Sequence, residues 1–164
     1  MTPRIETLES KKLVGIRLNM SLANNKTGML WGSFMPRFKE IENKVSDLKY
    51  SLQVFDSEYF KAFNPQKEFE KWALVEVANF GNIPEGMEAF ELSGGLYAVF
   101  FYKGNPQEAF GVFQQIYGDW IPNSLYDLDH RPHFEILGPK YKNNDAESEE
   151  EIWIPVIPKA LSTI

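Results

Sequence analysis

The stretch Gly95-Leu96-Tyr97-Ala98-Val99-Phe100-Phe101-Tyr102 carries most of the information about the fold. Its aliphatic and aromatic residues are typical of a strand, and both of its alternating sets of side chains are apolar. Such a strand needs cover on both faces, and a helix can supply one while a loop, a partner or a ligand supplies the other. Asn105 and Pro106 suit the N-cap and first position of a helix, and Glu108 completes a capping-box pattern. The stretch therefore predicts a strand that leads into a covering helix.

The same order of elements occurs in both halves of the chain. The segments typical of strands are Lys12 to Leu18, Tyr50 to Phe55, Trp72 to Phe80, Leu96 to Tyr102, His133 to Leu137 and Glu151 to Ile157. Helical spacing of apolar residues predicts one helix from Leu30 to Ile41 and another from Phe110 to Trp120. Pro36 either kinks the first helix or marks its first turn, and Asp56 to Lys71 is interpreted as a loop.

This order predicts an α+β fold built from duplicated βαββ units, residues about 5–82 and about 88–158, in a single domain of residues 1–164. We expect the units to be related by pseudo-two-fold symmetry. They should form an antiparallel sheet with helices on one side and a ligand groove on the other.

Composition narrows the classes of function. The net charge of −6 argues against direct nucleic-acid binding, and 13 Phe, 7 Tyr and 4 Trp suit a ligand pocket or an interface as well as a core. No Cys is present, which excludes disulfides and thiolate metal sites, and His130 and His133 alone cannot complete a zinc site. Because the sequence has no signal segment and no long apolar run, we expect a cytoplasmic protein without cofactor, metal or membrane contact.

From about Ile5 to Pro158 the chain resembles the GyrI-like small-molecule-binding domains. The resemblance lies in Gly95 to Phe100 with the helix that follows, in His133-Phe134-Glu135-Ile136, in Ile152-Trp153-Ile154-Pro155-Val156, and in Leu13-Val14-Gly15 with the helix through Leu30, Trp31 and Phe34. Such domains sense effectors in AraC-type and MerR-type multidrug regulators or stand alone, as in the gyrase inhibitory protein. The resemblance implies a stand-alone member, and it matches Glu135 to an acidic residue that lies in the groove of drug-binding members.

Side-chain alternation gives a second argument about the groove. Ile152 and Ile154 belong to an aliphatic face that should pack under the helices, so Trp153 should point away from them. Phe134 belongs to the apolar face of its own strand, which would place Glu135 on the side of Trp153. The predicted ligand-binding residues are Glu135, Trp153, Trp72, Tyr97, Phe101 and Gln53. The acidic run Asp145, Glu147, Glu149, Glu150 and Glu151 is interpreted as a solvated loop.

These residues favour the binding of bulky aromatic or lipophilic, cationic small molecules, because rings attract cations and a carboxylate complements their charge. Such binding would serve effector or drug sensing or sequestration. The plainer alternatives are a solvated Glu135 and Trp side chains that only fill the core. A second hypothesis is a hydrolase of reactive small electrophiles, with Glu135 as general base or nucleophile and Tyr97 or another Tyr as acid. A third is an inhibitor of the gyrase-inhibitor type that binds a separate protein partner.

Overall fold

Residues 1–159, which the computed structural model describes, form nine strands connected by loops and short helices. The strands are β1 (Arg4–Leu8), β2 (Lys11–Met20), β3 (Lys44–Val54), β4 (Phe69–Val77), β5 (Glu88–Leu92), β6 (Gly95–Lys103), β7 (Tyr126–Leu128), β8 (His133–Leu137) and β9 (Glu149–Pro158). The helices are α1 (Thr27–Phe34), α2 (Phe110–Gln115) and α3 (Ile121–Asn123). A 3₁₀ turn (Met35–Glu40) continues α1, and a π-helical turn (Ile116–Trp120) joins α2 to α3. No helix in this part of the chain has the length and apolar character that crossing a membrane requires.

The antiparallel sheet is symmetric about its centre. Its strand order is β1-β6-β9-β8-β3-β4-β2-β5, and β7 pairs separately with β9. Each half contains a strand, a helix and a hairpin, namely β2-α1-β3-β4 and β6-α2-β8-β9. Leu52 lies opposite Phe134 in the central pair of strands, and Trp72 and Trp153 lie opposite these two residues on the next strands outward. The predicted α+β fold with duplicated βαββ units is confirmed.

Two short connections require the sheet to curl. Only Glu9 and Ser10 separate β1, at one edge, from β2 in the other half of the sheet, and Ser93 and Gly94 join β5 to β6 in the same way. The two ends of the sheet must therefore approach each other. The connections meet so closely that a Cβ atom on Gly94 would lie 2.4 Å from the backbone oxygen of Leu8. We call the enclosed concave side the inner face and the side that carries the helices the outer face.

The inner face holds an aromatic-rich core. Its buried members are Leu8, Leu13, Tyr50, Leu52, Trp72, Leu74, Leu92, Tyr97, Val99, Phe134 and Trp153. The rings of Phe134 and Trp153 stack with their centroids 5.3 Å apart. This core fills the middle of the side opposite the helices, where the sequence predicted a ligand groove. Alternation identifies the two faces of a strand, but it does not show that the curvature of a sheet covers one of them.

The outer face carries two separate apolar patches. The patch under α1 consists of Val14, Leu30, Phe34, Ile41, Ala73, Val75, Val77 and Met87. The patch under α2 and α3 consists of Ala98, Phe100, Ile116, Ile121, Ile152, Ile154 and Val156. Between the patches, the central strands present buried polar side chains, among them Ser51, Gln53, His133 and Glu135. The fold therefore creates a polar gap on the outer face, at the centre of the pseudo-symmetry.

Several element boundaries differ from the sequence prediction. The first helix ends at Phe34, and Pro36 lies near the start of the 3₁₀ turn that replaces the helix's last turns. The side chain of Asn105 caps a 3₁₀ turn by accepting a hydrogen bond from the backbone N–H of Gln107. The strands β4 and β9 begin earlier than predicted, so part of the expected loop and part of the acidic run are strand.

Candidate functional site

Glu135 lies in the gap between the two apolar patches of the outer face. Its register partners are Ser51 on β3 and Ile152 on β9, so it shares the outer face with the aliphatic row of β9. Only 8% of the residue is exposed, and its Oε1 accepts a hydrogen bond from Nε2 of Gln53 at 3.2 Å. Glu135 directly follows Phe134, and Gln53 directly follows Leu52, the two residues that lie opposite each other in the central pair of strands. This hydrogen bond therefore joins equivalent positions of the two units.

Lys71 places a buried cation beside Glu135. Its Nζ lies 4.0 Å from Oε1 of Glu135, and the residue is 6% exposed. Burial lowers the pKa of Lys71, and the charges of Glu135 and Glu150 oppose this effect. Burial raises the pKa of Glu135, and the charge of Lys71 and the Gln53 hydrogen bond oppose that rise. The two groups form a buried ion pair whose mutual attraction offsets part of its desolvation cost.

Glu150 contributes a second buried carboxyl group, which the sequence interpretation as a solvated loop missed. The residue is 9% exposed and lies near the start of β9, two positions before Ile152 on the same face. Burial raises the pKa of Glu150 to about 8, and the charge of Glu135 adds to this rise while Lys71 opposes it. The signal was available in the sequence, because Glu150 extends the alternation of Ile152 and Ile154. Lys71 extends the row of Ala73 and Val75 in the same way.

Aromatic rings cover one end of the gap, and we call Phe55, Tyr59, Phe60 and Tyr117 the aromatic roof. Phe60 stacks on the buried ring of His133, with the ring centroids 5.2 Å apart and an angle of 18° between the planes. The centroid of the Phe60 ring also lies 4.7 Å from that of Tyr117. The hydroxyl of Tyr117 is hydrogen-bonded to Nδ1 of His133 at 2.8 Å. Burial lowers the pKa of His133 to about 3, so its imidazole is neutral at pH 7. The aromatic roof thus covers one neutral, hydrogen-bonded histidine.

The predicted ligand-binding residues Trp72 and Trp153 lie on the inner face, away from Glu135. The indole N–H of Trp72 donates a hydrogen bond to Glu70, and the guanidinium of Arg17 lies 5.8 Å from the centre of the ring. In the same way, Trp153 donates to Glu151, and the guanidinium of Arg4 lies 5.9 Å from its ring. The register explains the separation, because Trp153 faces Phe134 while Glu135 faces Ile152. The apolar character of Phe134 reflects the inner core, so the argument that put Glu135 and Trp153 on one side is wrong.

Tyr97 and Phe101 are also separated from Glu135. Tyr97 is fully buried on the inner face, donates its hydroxyl to the carbonyl of Pro132 at 2.8 Å, and packs under the guanidinium of Arg131. Phe101 is 59% exposed. Tyr97 is therefore not placed to act as the acid partner of Glu135. Of the six predicted ligand-binding residues, the structure brings together Glu135 and Gln53.

Two cavities open near the aromatic roof. The smaller, of about 140 Å³, is lined by residues that include Phe55, Phe60, His130 and His133. The larger, of about 400 Å³, is lined by residues that include Asp56, Glu68 and Glu70. Asp56 is paired with Lys67 and Glu70 with Arg17, each at 3.2 Å. The larger cavity thus has carboxylates that are largely matched by surface cations, whereas the buried carboxyl groups lie in the polar gap.

Comparison with known proteins gives relatives along nearly the whole chain. The family model described as integron-associated effector binding protein matches residues 4–156. The transcriptional regulator BrlR of Pseudomonas aeruginosa is 29% identical over 157 residues, which are 95% of this chain and 56% of BrlR. A DNA gyrase inhibitor of Escherichia fergusonii is 31% identical over 78 residues, which are 46% of this chain and 48% of the inhibitor. The matches therefore span about half the length of each of these curated relatives.

A solved structure extends the comparison to three dimensions. SAV2435, in a structure bound to tetraphenylphosphonium, has a TM-score of 0.66 at 18% identity, with 96% of this chain and 94% of that chain covered. Since the family match spans almost all of the described residues and the sheet has the same architecture, the chain belongs to the family of integron-associated effector binding proteins, which have the GyrI-like effector-binding fold.

Proposed function

We propose that this protein binds bulky lipophilic cations at Glu135, in the polar gap of the outer face, and so senses or sequesters them. The observation that carries the proposal is a carboxylate only 8% exposed, next to the aromatic roof and at the centre of the pseudo-symmetry. A carboxylate in such surroundings attracts a cation more strongly than it would in water, and rings add cation–π attraction. The tetraphenylphosphonium bound to SAV2435, which shares the fold, supports a ligand of this class.

Binding at this place requires the aromatic roof to move. The cavity beside His133 has a volume of about 140 Å³, below the roughly 300–1,000 Å³ that drug-sized ligands occupy. Phe60 is 39% exposed and Phe63, in the same loop, is 75% exposed, so neither ring is enclosed in a core. We propose that the loop from Phe55 to Glu68 swings outward and that its rings then line the bound cation.

The test is calorimetric titration with tetraphenylphosphonium and with triphenylphosphine oxide as a neutral ligand of similar shape. Glu135→Gln keeps the shape of the side chain and removes its charge. It also leaves Lys71 without its 4.0 Å partner, which adds repulsion toward a cation. We expect cation affinity to fall about 10- to 100-fold, equivalent to about 1.4–2.7 kcal/mol. Affinity for the neutral ligand should change much less.

Glu68→Gln is the matched control, because Glu68 is an exposed carboxylate that lines the larger cavity. It should leave the affinity for tetraphenylphosphonium unchanged. If Glu68→Gln weakens binding while Glu135→Gln does not, the cation occupies the larger cavity and the proposal is wrong. Equal losses for the charged and neutral ligands in Glu135→Gln would show that the substitution disturbs the shape of the site instead of its charge.

A further inference from the structure

Glu150 is a buried carboxyl group that takes no direct part in the ion pair of Lys71 and Glu135. Within residues 1–159 its side chain has no hydrogen bond and no ion pair, although only 9% of the residue is exposed. Glu135, in contrast, has both the amide of Gln53 at 3.2 Å and the ammonium of Lys71 at 4.0 Å. A proton shared among these groups therefore resides on Glu150, because an ionised buried carboxylate without a partner is costly.

The titratable groups around Glu150 come from four elements. Tyr102 lies directly opposite on β6, Glu135 is on β8 and Lys71 is on β4. Tyr141 lies in the loop before β9, where burial raises its pKa to about 12 and the charges of Glu150 and Glu135 add to this rise. Both tyrosines are neutral near pH 7. The charge state of the gap is therefore decided by Lys71, Glu135 and Glu150.

The charges of these three groups add up either to zero or to one net negative charge. With Lys71 and Glu135 ionised and Glu150 protonated, the charges sum to zero. Loss of the Glu150 proton leaves one net negative charge in a largely buried site. A ligand with one permanent positive charge and no proton of its own restores neutrality only if that proton leaves.

Building on the cation binding proposed above, we propose that a lipophilic cation enters the gap in exchange for the proton of Glu150. Glu150 then sets the pH range in which the protein holds its ligand. Binding and protonation are antagonistic: acid favours the empty, protonated gap, and base favours the occupied one. The free protein has a Glu150 pKa of about 8, so at neutral pH most molecules must release a proton to bind.

The experiment measures the affinity for tetraphenylphosphonium from about pH 6 to about pH 9, with proton release read from calorimetry in buffers of different ionisation heat. In the wild type we expect affinity to fall about tenfold per pH unit below about pH 8, and close to one proton to be released per cation at pH 7. Glu150→Gln mimics the protonated state, so its affinity should stay low and independent of pH, with no proton released.

Glu151→Gln is the control, because Glu151 is the neighbouring carboxylate and faces the other side of the sheet, where it pairs with Arg4. It should retain the wild-type pH profile. A wild-type affinity that does not change with pH, or a proton release that persists in Glu150→Gln, overturns the exchange while leaving cation binding intact. Failure of tetraphenylphosphonium to bind at every pH would instead remove the proposed function itself.

Discussion

Lys71→Met removes the buried cation from the outer face while keeping much of its apolar stem. In the wild type, Nζ of Lys71 lies 4.0 Å from Oε1 of Glu135. At the effective dielectric constant of about 20 that suits such sites, two unit charges at this distance attract each other by about 4 kcal/mol. After the substitution, the hydrogen bond from Gln53 is the one polar contact that the described part of the chain still gives the Glu135 carboxylate. Removal of one partner from a buried ion pair typically costs about 3–5 kcal/mol, unless the remaining group changes its protonation.

The protonation of Glu135 determines how the stability loss in Lys71→Met varies with pH. Without Lys71 the pKa of Glu135 rises further, and a carboxyl group with a raised pKa destabilises the folded state increasingly as pH rises above its unfolded value. We therefore expect Lys71→Met to lower the free energy of unfolding by about 3 kcal/mol at pH 8, and by clearly less at pH 5.

Urea unfolding of the wild type, Lys71→Met, Glu135→Gln and the double variant measures the coupling directly. We expect a coupling free energy of about 2–4 kcal/mol at pH 8 that shrinks at pH 5. Lys12→Met is the control, because Lys12 is exposed on β2, and it should change stability by less than about 0.5 kcal/mol. Additive effects of the two substitutions at pH 8 would refute the buried ion pair.

Three further predictions concern the roof and the core. Tyr117→Phe removes the 2.8 Å hydrogen bond to buried His133 and should cost about 1–3 kcal/mol in urea unfolding, whereas Tyr50→Phe, whose hydroxyl has no hydrogen-bond partner within residues 1–159, should cost much less. Because burial lowers the pKa of His133 to about 3, the folded state disfavours its protonation, so the His133 contribution to stability should fall by about 1.4 kcal/mol per pH unit below its unfolded pKa of about 6.5; a stability difference between the wild type and His133→Gln that does not change with pH would contradict this. Phe134→Ala empties the inner core and should cost about 3–5 kcal/mol, while the exposed Phe101→Ala should change the urea midpoint only slightly.

The sequence was sufficient to predict the fold because duplication, strand patterning and helix spacing are local signals. Leu96 to Tyr102 is a strand apolar on both faces, as predicted, and both faces are covered from Tyr97 to Phe100. Local patterns did not reveal the curl, since it results from which strands the two-residue connections join. The short edge strands β1 and β5 depend on pairing with the opposite half of the chain. Each of them contains only five residues, too few to show a clear period.

The candidate site was predictable only in part. Glu135 and Gln53 share one face of the central strands, as alternation within each strand can show. Alternation within a strand does not determine which face of β8 aligns with which face of β9. The pairing of the strands settles this alignment, and it places Trp72 and Trp153 on the face opposite Glu135. Lys71 and Glu150 were missed because charged residues at strand ends are usually solvated. Their position in line with buried aliphatic rows was the available signal.

Nuclear Overhauser contacts from the ring protons of tetraphenylphosphonium show whether a lipophilic cation binds on the outer face beside Glu135. We expect contacts to the rings of Tyr117 and His133, and none to the indole protons of Trp72 and Trp153, which lie on the inner face. In Glu135→Gln, the contacts to Tyr117 and His133 should weaken at equal ligand concentration. Contacts to the two indoles in the wild type, without contacts to Tyr117 and His133, would show that the cation binds on the inner face instead.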